Sequence, residues 1–403
     1  MDSRECLPVA ICASWYVFVS MLLMKAESVL YVGFMEMLPL SRVEASWPLT
    51  LCIIVSQVAS PMYGILGMWL SDRLLLVSAA LVCSFSVMAC SLASNLTHLM
   101  IFFGILLGLG MACAEVLPFA VVSRHYERYR GTIISILFIL CAVAGFVAPL
   151  LAEALSRQFG FRLSLLAEGC ILLTMLLGCI YVNRIRPVTE ETTTLLTRRP
   201  NGTEKVHFLD NLRSLASLWF LHLAVSRAMT LFVLCSVLLS LVDFAKDNGL
   251  AGYSAVALAT AYAVGDLGSR ISAGLLTDFK VLSSVSAMAV SFLIQSASLF
   301  GMTLHKSFLV LMLCCFLAGL SGGGRIFLAT FMVCNRYEKQ YLAFNLGIMN
   351  AVSGMALFLR PSVIGFVRDV LGTYDKLYLY FALINAIFTF TWTVQFFCQR
   401  REL

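Results

Sequence analysis

Charge is scarce in this sequence: only 12% of its 403 residues are Asp, Glu, Lys or Arg, and 60% are hydrophobic. Ordinary soluble domains carry about 25% charged residues. A soluble core could not absorb this much apolar sequence, so lipid must surround most of the chain. The net charge of +6 is modest, and we expect no nucleic-acid partner.

The patterns typical of metal sites and of catalytic nucleophiles are also missing. Fourteen cysteines are scattered, mostly inside apolar runs, and no CxxC pair occurs. This distribution indicates cysteines used as small apolar residues. None of the five histidines forms a pair with zinc-ligand spacing, and no nucleophile has an obvious base. We therefore expect no enzyme, no metal and no cofactor.

Twelve apolar segments are long enough to cross a bilayer. They cover residues 8–35, 48–70, 75–94, 97–122, 132–153, 162–183, 215–242, 253–276, 281–303, 307–333, 341–366 and 376–398. One long polar stretch, "NRIRPVTEETTTLLTRRPNGTEKVHFLDNLRS" (183–214), separates the first six from the last six. The sequence therefore predicts an all-α membrane protein. It divides into a six-helix half at 1–183, a flexible cytoplasmic linker at 184–214 and a second six-helix half at 215–403.

The distribution of Lys and Arg predicts the orientation in the membrane. Loops that face the cytoplasm carry the excess of these residues. Six of them lie in the linker. If both termini are cytoplasmic, sixteen Lys and Arg lie on the cytoplasmic side and seven on the opposite side. We expect both termini and the linker to face the cytoplasm.

The two halves repeat weakly but in order. "GLGMACAE" (108–115) matches "GLSGGGRI" (319–326), and "PLLAEALSRQFGF" (149–161) matches "PSVIGFVRDVLGT" (361–373), at nearly the same offset. Such parallel repeats are the plan of the major facilitator transporters, in which the substrate site lies at mid-membrane between the halves.

Several motifs resemble those of the monocarboxylate transporter family within that superfamily. The eighth predicted helix contains "DLGSR" (266–270), which matches the Asp-x-x-x-Arg pair of the family. Further matches are "GMWLSDR" (67–73), "SWPLTL" (46–51), "SRHYERYRGTIISILFILCAVAG" (123–145) and "PSVIGFVRDVLGTY" (361–374).

The resemblance implies a plasma-membrane symporter that carries a small organic anion with a proton by alternating access. Some members of the family need a single-span chaperone subunit, so the resemblance raises that partner too. The chain also departs from the family. Ser28 stands where members that carry lactate-like anions often have lysine, and Lys25 lies three residues earlier.

Asp266 and Arg270 are four residues apart, so they share one face of a helix. Each charge costs about 2.5–3.5 kcal/mol to insert at the middle of a membrane. Their mutual attraction, of order 4 kcal/mol at about 4 Å, offsets much of that cost. One interpretation is therefore a structural pair, in which each charge neutralises the other and so lowers the cost of placing the helix in lipid.

The other interpretation, which the resemblance supports, makes the pair a switch. A substrate carboxylate would compete with Asp266 for the guanidinium of Arg270, a group suited to two-point capture. Asp266, left without its partner in apolar surroundings, would then bind a proton. The proton and the anion would cross together without net charge.

Other intramembrane charges are candidates for substrate contact: Lys25, Glu115 and Arg325. The repeat alignment places Arg325 opposite Ala114, so Glu115 and Arg325 could instead form a salt bridge that locks one conformation. A charge swap that restores activity lost in each single variant would favour the lock. The sequence leaves the roles of Glu27, Arg227 and Arg360 open.

A further group is assigned to gating or structure. Asp72, Arg73 and Asp278 are expected to hold cytoplasmic helix ends together. Pro361 and Gly372 belong to the proline–glycine motif shared by the two halves.

The predicted function is proton-linked symport of a monocarboxylate or a related small organic anion. The alternative is a facilitative uniporter of a neutral solute or an amino acid, with the intramembrane charges structural.

Overall fold

The computed structural model describes residues 7–127, 129–182, 210–250, 253–279, 283–367 and 373–401. All regular structure in these ranges is helical, which confirms the predicted all-α class. In chain order, the helices are α1 (Leu7–Lys25), α2 (Glu27–Met37), α3 (Arg42–Leu66), α4 (Asp72–Cys90), α5 (Leu96–Leu99), α6 (Gly108–Ala114), α7 (Leu117–His125), α8 (Arg130–Phe159), α9 (Phe161–Leu173), α10 (Leu218–Asp247), α11 (Tyr253–Asp278), α12 (Ser284–Leu304), α13 (Phe308–Arg336), α14 (Leu342–Phe358), α15 (Arg360–Phe366) and α16 (Tyr374–Arg401). A π-helical segment, Met100–Leu107, joins α5 to α6, and a 3₁₀ turn, Thr174–Cys179, follows α9.

Eleven helical stretches in the described part of the chain are long and apolar enough to cross a membrane. Helix α11, with 26 residues, is not among the eleven. It coincides with the predicted eighth span and carries the Asp266–Arg270 pair. These stretches and α11 correspond to the twelve spans predicted from hydropathy.

Three of the predicted spans contain a break in the helix. Ala26 separates α1 from α2, with backbone angles of −82° and 9°. Pro118 and Pro361 each stand at the start of a new helix, α7 and α15, where a missing N–H costs no hydrogen bond. Irregular backbone at membrane depth is tolerated where it is buried in protein or lines a wet cavity.

Several of the charged residues within the predicted spans lie next to these breaks. Lys25 and Glu27 flank Ala26, Glu115 caps the C-terminus of α6, and Arg360 begins α15. Broken helices are where transporters commonly expose backbone groups to substrate and ions. Some of the intramembrane charges therefore lie at breaks, whereas Asp266, Arg270 and Arg325 lie within the continuous helices α11 and α13.

The chain forms two compact units. The first comprises Met1–His222 with Val333–Met355, and the second comprises Leu223–Met332 with Ala356–Leu403. These boundaries follow spatial contacts rather than the internal repeat, so the division at 1–183 and 215–403 stays a prediction.

Within the first unit, α3 and α14 approach each other closely. A Cβ atom added to Gly347 would lie 2.6 Å from the Cα atom of Pro61, which is too close for two carbon atoms. Asn350 also donates a hydrogen bond to Ser60, at 3.5 Å. Glycine lets two helical backbones meet here without a side chain between them.

The end of the predicted linker is anchored in the first unit. Asn211 and Asn345 exchange two amide hydrogen bonds, of 2.9 and 3.1 Å, and both residues are buried. Residues 184–209 of the linker lie outside the described residues.

Candidate functional site

Helix α11 brings Asp266 and Arg270 together inside the second unit. The Nε atom of Arg270 lies 2.9 Å from Oδ2 of Asp266, and its Nη2 atom lies 3.3 Å from Oδ1. The side chains are 9% and 16% exposed. This is a two-donor ion pair that is largely shielded from solvent, at the spacing predicted from the sequence.

The carboxylate of Asp266 rests against a glycine of α13. A Cβ atom added to Gly323 would overlap Oδ1 of Asp266 and would lie 2.8 Å from Oγ of Ser269. Gly319, four residues earlier, lies against the backbone of Tyr262 in the same way. The glycine-rich segment of α13 therefore makes the space in which the ion pair sits.

Arg325, also on α13, is completely buried. Its guanidinium donates hydrogen bonds to the side-chain oxygens of Gln295 and Asn385, the latter at 3.0 Å. It also donates to the carbonyl of Ser321 at 3.1 Å and stacks 4.1 Å from the ring centre of Phe292. All of these partners are neutral. Substrate contact by Arg325, and its pairing with Glu115, stay predictions.

Two buried polar atoms near Gly322 have no hydrogen-bond partner among the described residues. They are the hydroxyl of Tyr262 and Nε2 of Gln295. A Cβ atom on Gly322 would lie 3.4 Å from the former and 3.6 Å from the latter. Sequence reasoning did not select Tyr262, although it precedes Asp266 by one helical turn and shares its face.

The remaining substrate candidates lie in the first unit. Lys25 is exposed at the end of α1, and its Cδ atom is 3.9 Å from the position of a Cβ on Gly145 of α8. Glu27 lines a small cavity with Leu23 and Phe103. Glu115 is half-buried. The contact of Lys25 and Glu115 with substrate stays a prediction.

The gating candidates Asp72 and Arg73 occupy different environments. Asp72 forms an ion pair with Arg124, whose Nε atom also donates to the carbonyl of Lys339 at 3.1 Å. Arg73 is exposed. Gly372 lies outside the described residues. The side chain of Asp278 is likewise outside them, as is that of Pro361, whose backbone begins α15.

Two further contacts extend this group at the same helix ends. Lys339 Nζ lies 2.7 Å from Oε1 of Glu127, and this hydrogen bond with its attendant charge lowers the pKa of Glu127. Arg130 donates to Asn335 at 2.9 Å and to the carbonyl of Cys334 at 2.8 Å. We call Asp72, Arg124, Glu127, Arg130 and Lys339 the loop cluster. It joins α4, α7 and α8 to the segment around Val333–Met355.

The sequence profile of the Major Facilitator Superfamily matches residues 9–281. That is more than half of the chain, and the chain belongs to this superfamily of membrane transporters. The twelve-helix fold predicted from the sequence is the fold of this superfamily.

Among characterised relatives, monocarboxylate transporter 12 of Rattus norvegicus is 22% identical over 386 residues, which cover 87% of this chain and 77% of that protein. Human monocarboxylate transporter 2 is also 22% identical, over 88% of this chain and 78% of its own length. The predicted resemblance is confirmed at this level of identity.

Solved structures share the fold. The E. coli fucose:proton symporter FucP superposes with a TM-score of 0.74 at 13% identity, covering 97% of this chain and 99% of that one. The human organic anion transporter MFSD10 gives 0.69 at 11% identity, covering 96% and 100%. Both comparisons establish that this chain shares their fold.

Proposed function

We propose that this protein is a proton-linked symporter of a monocarboxylate or a related small organic anion. The observation that carries the proposal is the shielded two-donor pair of Asp266 and Arg270 within α11. It combines the group that captures a carboxylate with the group that takes up a proton.

The transport step follows from competition for one guanidinium. An entering carboxylate displaces Asp266 from Arg270, because a planar guanidinium binds either carboxylate through the same two donors. The released Asp266 remains largely shielded from solvent beside Gly323, where an ionised carboxylate without a partner is unfavourable. It therefore takes up one proton, and the loaded site has no more net charge than the empty one.

Coupling to a proton makes the transported load electrically neutral. Moving one elementary charge across a membrane potential costs about 2.3 kcal/mol per 100 mV. An anion that crosses with a proton avoids this work. It also draws on the proton gradient.

The balance of intramembrane charge supports an anionic substrate. Arg325 is buried, its partners among the described residues are neutral, and Arg227 is another buried cation of the second unit. Buried cations favour the approach of an anion. The names of the relatives agree with this, since they are monocarboxylate transporters.

The plasma membrane, the cytoplasmic orientation of both termini and a single-span chaperone are parts of the same proposal. The orientation is supported by the distribution of Lys and Arg. The other two are supported by the resemblance alone.

The test is uptake of a labelled monocarboxylate into proteoliposomes across a pH step. Acid outside should stimulate uptake in the wild type and acidify the lumen. Asp266→Asn should abolish both effects, because an amide cannot take up the proton. Glu153→Gln removes an exposed carboxylate of α8 that pairs with Arg157, and this matched control should behave as wild type.

A second function is favoured by one feature of the same pair. Both carboxylate oxygens of Asp266 already accept hydrogen bonds from Arg270, as expected of a purely structural pair. A facilitative uniporter of a neutral solute or an amino acid would then show uptake that is independent of pH. It would survive Asp266→Asn as long as the helix folds.

A further inference from the structure

Helix α9 buries an acidic residue that the predicted site does not use. Glu168 is 7% exposed, and its Oε2 atom is buried without a hydrogen-bond partner among the described residues. It lies within the span Phe161–Cys179. Sequence reasoning did not select it, because one carboxyl group in an apolar run has no motif around it.

Glu168 lines a small, partly open cavity in the first unit. The cavity has a volume of about 20 Å³, which is enough for one water molecule. Apart from Glu168, its lining is entirely apolar. It includes Leu22 and Leu23 of α1, Ala148 and Ala152 of α8, and Leu172 of α9.

Among the described residues, Glu168 is the one charged group that lines this cavity. The charged groups on the helices that pack against α9, and on α9 itself, all lie elsewhere: Lys25, Glu27, Glu36, Asp72, Arg73, Arg130, Glu153, Arg157 and Arg162. Of these, Arg157 is engaged with Glu153, Asp72 with Arg124, and Arg162 with the carbonyl of Ser91. Within the described part of the chain, Glu168 is therefore an acid without a cation at its carboxyl group.

The apolar lining of the cavity favours a proton as the ligand of Glu168. An ionised carboxylate in apolar surroundings needs a cation or hydrogen-bond donors, and this cavity supplies neither. A metal ion would need several oxygen ligands, and the lining offers only one carboxyl group. A proton needs a single oxygen, and it removes the charge.

We propose that Glu168 is a second proton-binding site of this protein, placed in the first unit and distinct from Asp266. The neutral acid occupies the cavity in this conformation. The inference that Glu168 binds a proton depends only on the cavity and its lining. Its contribution to the pH dependence of uptake rests on the proposed transport function.

Infrared spectroscopy of the purified full-length protein tests proton binding directly. A protonated carboxylic acid has a carbonyl stretch separate from the bands of an ionised carboxylate. We expect this band in the wild type at neutral pH, unchanged in Asp266→Asn and Glu153→Gln and lost in Glu168→Gln. A band that persists in Glu168→Gln, or a wild type without any band, overturns the proposal.

A conservative variant covers the case in which Glu168→Gln does not fold. Glu168→Asp keeps the carboxyl group but withdraws it by one methylene, so the band should remain and shift in frequency. An unshifted band in that variant would belong to another residue and would overturn the assignment.

Uptake separates this inference from the proposed function. Because Asp266→Asn alone should abolish the pH dependence, the role of Glu168 in uptake is measured with Asp266 intact. Glu168→Gln should then shift the pH of half-maximal uptake, and an unchanged pH profile contradicts a contribution from Glu168. A protein that shows the Glu168 band but carries no monocarboxylate supports the proton site and contradicts the symport. Acid-stimulated uptake by a protein that lacks the band supports the symport and contradicts the proton site.

Discussion

Gly323 and Asp266 are in direct contact across two helices of the second unit, with the carboxylate occupying the space that a side chain on α13 would take. The position of the ion pair therefore depends on a residue that carries no charge. This dependence can be tested without altering either charged group.

Gly323→Ala should displace Asp266 from its place. The added methyl group would overlap Oδ1 of Asp266, and the helices must separate or the carboxylate must turn away from Arg270. We expect acid-stimulated uptake to fall at least tenfold, about 1.4 kcal/mol, measured as the initial rate in proteoliposomes.

Gly268→Ala is the matched control on α11. Its added methyl group would meet only the Cδ1 atom of Leu320, at 3.7 Å, which is ordinary contact. Equal losses in the two variants would show that α11 and α13 tolerate no methyl group anywhere, and the special contact at Gly323 would lose its support.

Arg325→Leu should destabilise the second unit. It leaves the side-chain oxygens of Gln295 and Asn385 without their donor, at a cost of roughly 1–3 kcal/mol for each unsatisfied group. The melting temperature in detergent measures this loss. Arg325→Lys keeps the charge but has no planar fork to reach both oxygens, so it should recover only part of the stability.

Arg73→Leu provides the reference for that experiment. Arg73 is exposed, and substitutions at such positions usually change stability by less than about 0.5 kcal/mol. A melting temperature that falls as far in Arg73→Leu as in Arg325→Leu would contradict a specific role for the buried guanidinium.

Asp72→Asn should weaken the loop cluster. The ion pair with Arg124 is only 12–17% exposed, and hydrogen bonds to charged groups contribute about 1.5–3 kcal/mol. We expect a lower melting temperature for Asp72→Asn and for Arg124→Gln. The double variant should lose less than the sum of the two, and full additivity would show that the pair does not interact.

Glu127 gives a pH-dependent contribution at the same place. Lys339 holds the pKa of Glu127 below its usual value of 4.5, so the pair stabilises the fold above the unfolded-state pKa. This contribution disappears as the pH falls through the folded-state value. Glu127→Gln should therefore lower the melting temperature slightly at neutral pH and have no effect in acid. A difference that persists well below pH 4.5 would exclude ionisation of Glu127 as its cause.

The sequence was sufficient for the elements and for the Asp266–Arg270 pair. Hydropathy over about twenty residues locates a span because the bilayer has a fixed thickness. A spacing of four residues places two side chains on one helical face whatever surrounds them. Both inferences depend only on local properties of the chain. Helix α11 coincides with the predicted eighth span, and its Asp266 and Arg270 side chains are paired as predicted.

Only the tertiary structure revealed what surrounds those side chains. The partners of Arg325, the contact between Gly323 and Asp266, and the solitary position of Glu168 all involve residues distant in the sequence. Burial and hydrogen bonding depend on which helices pack together, and hydropathy cannot distinguish a residue that faces lipid from one that faces protein. The sequence determined which charges enter the membrane, whereas tertiary packing decided which of them have partners.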